Sequence, residues 1–251
     1  MTFRANILTG WLTCLSFIFV ACSPRVTPVE AGIRTHTLLV GNAAEPGDLD
    51  PHLASILTDQ IIVNTLFEGL TVLDEQTNRP LPAAAESWGI SSDGLVWTFH
   101  LRADLKWSNG EALIADDFVQ SWRRALNPAF AADNAWYLFP IKNAETYNAG
   151  QLAHFSDVGI STPNDRTIAI TLERPTPYLP ALVSLPAWFP LNPRSLEKFG
   201  ALAQRGKPWT RPGNLVSNGA YQLTEWTPDV RIVLGKNLHH RDSATAQLEH
   251  I

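Results

Sequence analysis

The residues with the most evident capacity for chemistry form two adjacent pairs, and neither pair predicts an active site. Asp116 and Asp117 could act as paired carboxylates in glycoside hydrolysis, but neighbours at a helix start point in different directions and favour the positive end of the helix dipole. His239 and His240 could ligate a metal, yet strand neighbours face opposite sides and no cysteine or carboxylate cluster completes a tetrahedral set. We therefore predict helix capping for the aspartates and a solvated or core role for the histidines.

Other catalytic motifs are also absent from the sequence. The segment from Gly200 to Lys207 is one residue too long for a phosphate-binding loop, and Pro208 stands where a magnesium-binding hydroxyl is needed. No Gly-x-Ser-x-Gly elbow occurs, and Cys14 and Cys22 both lie near the amino terminus. The residues predict no catalytic group, no metal and no cofactor. A secreted hydrolase with an unrecognised site stays open as an alternative.

The composition excludes several classes of protein. The chain has 251 residues, of which 45% are hydrophobic, 10% aromatic and 17% charged, which excludes a disordered polymer. Two cysteines cannot form a disulfide framework. Lysine and arginine total 19 against 24 acidic residues, a net charge of −5, which argues against a nucleic-acid partner.

The amino terminus predicts export. Ile7 to Val20 is an almost uninterrupted apolar run that, as a helix, would span roughly 21 Å, too short for the ~30 Å hydrocarbon core of a bilayer. We predict a signal peptide at residues 1–21. Ala21 before Cys22 resembles the lipobox of bacterial lipoproteins, although Phe19 departs from the usual leucine. We therefore predict lipidation at Cys22, a tether at residues 22–35 and a membrane-anchored location in the periplasm or at the cell surface, the alternative being an ordinary signal peptide with a coincidental cysteine.

The elements that would position a site are mixed and do not alternate as regular βαβ units. Period-two and period-3.6 apolar patterns, bounded by turn residues, distinguish the strands from the helices. Asn109-Gly110 and Asn218-Gly219 predict positions that tolerate positive φ. The predicted strands are 37–40, 70–73, 87–90, 95–102, 166–172, 220–226 and 230–234, and the predicted helices are 55–66 and one that opens at Asp116 and ends before Asn127. Prolines 175, 177, 180, 186, 190 and 193 predict a crossover between two halves of the body.

Ordered motifs through the whole body resemble the oligopeptide-binding proteins of ABC importers, the bacterial extracellular solute-binding proteins of family 5. The motifs are Leu49-Asp50-Pro51-His52, Leu66-Phe67-Glu68-Gly69-Leu70, Ala85-Glu86-Ser87-Trp88, residues 97–102, Lys106-Trp107-Ser108-Asn109-Gly110, residues 115–119, Ser121-Trp122-Arg123-Arg124, Pro177-Tyr178, Lys198-Phe199-Gly200 and Asn218-Gly219-Ala220-Tyr221. Their order and spacing match over about 36–238. The resemblance implies a monomeric, non-enzymatic receptor that closes on oligopeptides and delivers them to an ABC permease in the inner membrane.

The resemblance also implies where a peptide would bind. In that family the peptide main chain is held as an added strand, and the corresponding residues here are Ser55, Ile56 and Leu57. Main-chain pairing ignores side-chain identity and so gives broad specificity. An aromatic contact from the small domain falls at Asn134, which departs from the pattern. Trp136 or Tyr137 could replace that aromatic, or both could be core residues.

The chain departs from the family most strongly in its length. It stops at Ile251, where family members continue into a second lobe. The expected fold is mixed α/β (α+β), a type II periplasmic-binding-protein-like first lobe at residues 36–67 and 193–251 with an inserted small domain at 68–192. We expect a truncated form with impaired peptide binding. The alternative is a non-transporting lipoprotein that acts through partner contacts.

Overall fold

The computed structural model describes residues 26–251, so the predicted signal peptide at 1–21, Cys22 and the first part of the predicted tether lie outside the described residues. The described chain begins with a helix, α1 at Pro28–Thr35. Thr27 and Glu30 cap its amino terminus reciprocally, as a Thr-x-x-Glu box does. The helix occupies the second part of the segment predicted to be a tether.

The remaining elements follow the mixed order that the sequence predicts. The helices are α2 Leu57–Leu66, α3 Ala115–Ala125, α4 Ala144–Asn148, α5 Leu179–Leu182 and α6 Pro193–Glu197, with short 3-10 helices at Ala135–Leu138, Phe155–Asp157, Pro186–Trp188 and Pro208–Thr210. The strands are β1 Thr71–Leu73, β2 Pro80–Pro82, β3 Ala85–Ile90, β4 Val96–Leu101, β5 Ile160–Asn164, β6 Thr167–Thr171, β7 Tyr221–Thr227 and β8 Arg231–Lys236.

One core lies beneath a four-stranded antiparallel sheet of order β3-β4-β6-β5. Alternate residues of β4 and β6 form its buried face, since successive strand side chains point to opposite faces. Helix α3 contacts β5 and buries its apolar stripe in the same core. The large buried residues of β4, β6 and α3 are Trp97, Phe99, Leu101, Ile168, Ile170, Phe118 and Trp122.

A second core is formed by residues that come before and after the four-stranded sheet in the sequence. Helix α2 contacts the β7–β8 hairpin, whose turn holds Asp229 at φ 58°. The buried residues of this core come from 49–67 and from 189–234, whereas those of the first come from 70–188. The chain therefore passes between the two cores at Glu68 and again at Phe189.

Two local expectations were wrong. The predicted strand 37–40 is absent: Thr37 forms one isolated bridge with His250, and the N–H of Leu38 donates to the carbonyl of His250 at 3.0 Å, but this pairing does not continue to Leu39 and Val40, which stay exposed. The second concerns Asn218-Gly219, which was predicted as a pair suited to positive φ: neither residue has a positive φ. Glycine is needed at 219 for a close approach, since a Cβ there would lie 2.5 Å from the backbone of Leu66.

Within residues 26–251, no helix is long and apolar enough to cross a membrane, and no group of three or more metal-ligating side chains comes together.

Candidate functional site

The segment Ser55, Ile56 and Leu57 presents unpaired main chain at the surface. Ile56 is extended, with φ −108° and ψ 155°, and Leu57 is 72% exposed. Within the described chain, the N–H groups of these three residues and the carbonyl of Ser55 have no hydrogen-bond partner. The carbonyl of Ile56 accepts from Asp59 and Gln60 and so begins α2. This edge can accept hydrogen bonds from, and donate them to, an extended ligand.

The structure brings Asn134 next to this segment. Its Nδ2 donates to the carbonyl of Ala54 at 3.3 Å, so the side chain is engaged in holding the segment. Trp136 is 54% exposed and stacks on the half-buried Tyr137, with ring centroids 3.7 Å apart. Trp136 is therefore not a core residue, and Tyr137 packs at the margin of the first core.

A buried ionic network precedes the segment. Arg124 of α3 donates to both carboxylate oxygens of Asp50, at 3.1 and 2.5 Å, and all three side chains of Asp50, His52 and Arg124 are 3% exposed or less. The same guanidinium donates to Nδ1 of His52 at 3.0 Å. Nδ1 must then be the acceptor, so Nε2 carries the proton and donates to the carbonyl of Phe189 at 3.3 Å.

The network fixes the backbone that leads into the segment. The Asp50 carbonyl accepts from the N–H groups of Leu53 and Ala54, both at 2.9 Å. Burial raises the pKa of the Asp50 carboxyl, but the charge and hydrogen bonds of Arg124 outweigh that effect and hold it below its usual range. The turn therefore keeps a charged carboxylate, and the segment after it is anchored from inside the protein.

His52 should make the protein sensitive to acid. Burial, together with the charge of Arg124, lowers the pKa of His52 to about 4. An unfolded histidine has a pKa of about 6.5, so the unfolded state alone gains a proton as the pH falls from about 6.5 to 4. We expect the free energy of unfolding to drop by about 3 kcal/mol across that window from this residue, measured by urea denaturation at each pH.

The controls for this prediction are two histidine variants. His52→Gln should reduce the pH slope between 6.5 and 4 by the share of His52, whereas His154→Gln, at an exposed position, should leave it unchanged. Equal slopes in the parent chain and in His52→Gln would contradict the assignment.

A second ionic cluster lies where the chain leaves the second core. Arg241 pairs with both carboxylate oxygens of Glu68, and His240 Nε2 lies 3.6 Å from the same carboxylate. Burial raises the pKa of Glu68, but hydrogen bonds from His240 and Arg241 reverse the shift and lower it. Asn218 binds both the N–H and the carbonyl of Glu68. These contacts fix the crossover between the two cores, and His240 is confirmed as a buried structural residue.

The predicted capping by the aspartates is confirmed for Asp117. Its Oδ2 accepts from the N–H of Ile114 at 3.2 Å, and also from Nε1 of Trp107 at 3.0 Å. Burial raises the pKa of Asp117, against the opposing effect of these hydrogen bonds and of Arg194. Asp116 is exposed, so the two carboxylates do not form a catalytic pair.

Sequence reasoning missed the role of Arg124. The motifs around Asp50 and around Arg124 were recognised, but no contact between the two residues was predicted. The signal was a charged side chain beside the apolar stripe of α3, since arginine is almost never fully buried unless it is paired.

Residues 26–251 thus combine two hydrophobic cores with an exposed main-chain edge at Ser55 to Leu57. The chain matches the family described as "Bacterial extracellular solute-binding proteins, family 5 Middle" over residues 79–251, and it belongs to this family. Its mixed α/β fold resembles the type II periplasmic binding proteins, as predicted.

Comparison with individual relatives supports the same family assignment. The chain is 36% identical to the periplasmic oligopeptide-binding protein OppA of Escherichia coli K12, over 100% of this chain and 45% of OppA. It is 35% identical to the dipeptide-binding protein DppE of Bacillus subtilis, over 94% and 44%. The substrate-binding domain of an oligopeptide ABC transporter from Bacillus anthracis superimposes with a TM-score of 0.78 at 36% identity, covering 85% of this chain and 40% of that one. The chain thus spans less than half the length of these relatives.

Proposed function

We propose that this chain captures oligopeptides outside the inner membrane for an ABC importer and has no enzymatic activity. The observation that carries the proposal is the exposed main chain of Ser55 to Leu57, whose N–H groups lack partners within residues 26–251. Peptide recognition by strand addition needs such an edge. The names of the relatives, which bind oligopeptides or dipeptides, support the same ligand class.

The proposal includes an arrangement of domains and a location. We place the first lobe at residues 36–67 and 193–251 and the inserted small domain at 68–192, which the composition of the two cores supports. A lipid on Cys22 would anchor the chain at the membrane, with the permease as partner. The described residues supply one wall of a peptide site, so we expect this chain alone to bind peptides more weakly than a full-length relative does.

The test changes a single backbone donor. Ser55→Pro removes an N–H that makes no hydrogen bond inside the described chain, so the fold should lose little stability. We expect peptide affinity, measured by calorimetry with a pool of short peptides, to fall by about tenfold, which is about 1.4 kcal/mol.

Ser55→Ala is the matched control, because it keeps the N–H and removes only the hydroxyl. It should bind as the parent chain does. If Ser55→Pro is folded and binds equally well, the edge is not the peptide site. If the parent chain binds the permease and no peptide, a role through partner contacts replaces the proposal.

A further inference from the structure

A separate cavity lies in the small domain, outside the proposed peptide edge. Its volume is about 510 Å³, within the roughly 300–1,000 Å³ that is usual for small-ligand sites. Its apolar walls come from the 3-10 helix 135–138, the turn after it, and the start of α5. The apolar lining residues are Trp136, Tyr137, Phe139, Pro140, Tyr178 and Leu182.

The exposure of two aromatic side chains marks this cavity. Trp136 is 54% exposed and Tyr178 is 61% exposed, and they are the two strongly exposed aromatic residues among residues 26–251. They lie 42 positions apart in sequence and yet line the same cavity. One face of Trp136 is covered by Tyr137, so its other face and the ring of Tyr178 are the aromatic surfaces that a planar ligand could stack on.

The walls of the cavity are held in place by backbone contacts. The N–H of Glu173 donates to the carbonyl of Pro140 at 3.0 Å, which joins two sides of the cavity. The carbonyl of Tyr178 accepts from Ala181 and Leu182 at the start of α5. These contacts hold the main chain that carries the aromatic side chains, and the stack on Tyr137 orders the ring of Trp136, which lowers the cost of ordering that wall on binding.

The charges at the cavity favour a cation. Glu145 and Glu173 line it together with one guanidinium, that of Arg174, which gives an excess of one negative charge. Aromatic faces also attract cations through the negative potential above the ring. The net negative charge and the aromatic faces both favour a cation, and stacking favours a planar ring. Together they favour an aromatic ring that carries an amine.

We propose that this cavity is a second ligand site, for an aromatic amine that stacks between Trp136 and Tyr178 with its ammonium group toward the carboxylates. The ligand could be a free amine or the amino-terminal aromatic residue of a peptide, since both present the same chemistry. Trp136 lies two residues after Asn134, which contacts Ala54, but none of Ser55, Ile56 and Leu57 lines the cavity.

The test titrates the purified full chain with tryptamine, N-acetyltryptophanamide and indole-3-acetate, followed by amide shifts in NMR spectra. These probes share the indole ring and differ in charge. We expect tryptamine to bind most tightly and indole-3-acetate most weakly. Equal or tighter binding of indole-3-acetate would overturn the proposed charge selection.

Variants locate the binding. Trp136→Ala and Tyr178→Ala should each weaken tryptamine binding by about tenfold. If Trp136→Ala does not fold, Tyr178→Ala provides the test. Leu238→Ala, at a 75% exposed residue that does not line the cavity, should change nothing. Unchanged binding in a folded Trp136→Ala or Tyr178→Ala variant would overturn the proposal.

A tripeptide that begins with tryptophan separates the two sources of the amine. If Trp136→Ala alone weakens its binding, the cavity takes the terminal residue as it takes a free amine. If Ser55→Pro weakens it as well, one peptide reaches both sites. Tryptamine binding should survive Ser55→Pro in either case, so failure of the peptide proposal is distinguishable from failure of this one.

Discussion

Replacing Arg124 by glutamine should lower the free energy of unfolding by about 3–5 kcal/mol, the cost of removing one partner of a buried ion pair. Asp50 would be left without its cationic partner in a site where its side chain is 2% exposed and where burial raises the pKa of its carboxyl. The variant also loses the donors to His52 Nδ1 and to the carbonyl of Leu202, which accepts from Nε at 2.6 Å. Urea denaturation monitored by circular dichroism measures the change.

Arg231→Gln is the matched control on the surface. Arg231 pairs with Glu225 at 2.9 Å, but their side chains are 64% and 39% exposed. Exposed pairs contribute little to stability, because water already solvates both charges. A loss in Arg124→Gln as small as that in Arg231→Gln would mean that the buried network does not stabilise the protein.

The same variant tests whether the network positions the proposed peptide edge. The Asp50 carbonyl holds the N–H groups of Leu53 and Ala54, and the Ala54 carbonyl accepts from Asn134. Loosening the Asp50 turn should therefore increase amide hydrogen exchange at Leu53 and Ala54, whose N–H groups the Asp50 carbonyl protects, more than in α2. Exchange that rises equally in both would indicate general destabilisation.

The parts of the fold with a strong local pattern could be predicted from the sequence. The period-two pattern predicted the strand at 95–102, where Trp97, Phe99 and Leu101 of β4 are buried, and the helix predicted from Asp116 is α3, which buries Phe118 and Trp122. In both cases the elements bury one face, so the period of the sequence carries the information. The Asn-Gly turn at Gly110, with φ 86°, followed from the residue types alone.

The parts that depend on distant partners could not be predicted in this way. Leu38 to Val40 have strand-forming residues, but a strand needs a neighbour along its length, and within residues 26–251 the pairing with His250 stops at Leu38. Asp50 and Arg124 are 74 positions apart, and no local pattern links an acidic turn residue to one arginine of a helix. The candidate edge at Ser55 was predicted from the family resemblance. The residue types alone could not predict it, because they do not show which backbone groups lack hydrogen-bond partners.

Trp122→Ala should cost about 3–5 kcal/mol of unfolding free energy, through the cavity that the indole leaves behind. Trp122 is fully buried and meets Phe118 and Trp188 edge to face, with ring centroids 5.9 and 5.3 Å apart. Its Nε1 donates to the carbonyl of Trp188 at 2.9 Å, and that carbonyl would lose its partner. Because whole domains are stable by about 5–15 kcal/mol, this one change should remove a large fraction of the total, as a urea midpoint shift would measure.

Trp136→Ala is the matched control, since it makes the same substitution at a 54% exposed residue. It removes a stack on Tyr137 and little buried surface, so its cost should stay near 1 kcal/mol or below. A similar loss in the two variants would contradict the placement of Trp122 in the core.

The packing of Trp122 also matters for the site, because Arg124 lies two residues after Trp122 on α3. The packing of one tryptophan thereby fixes the helix that carries the guanidinium to Asp50, and through Asp50 the edge proposed to bind the peptide.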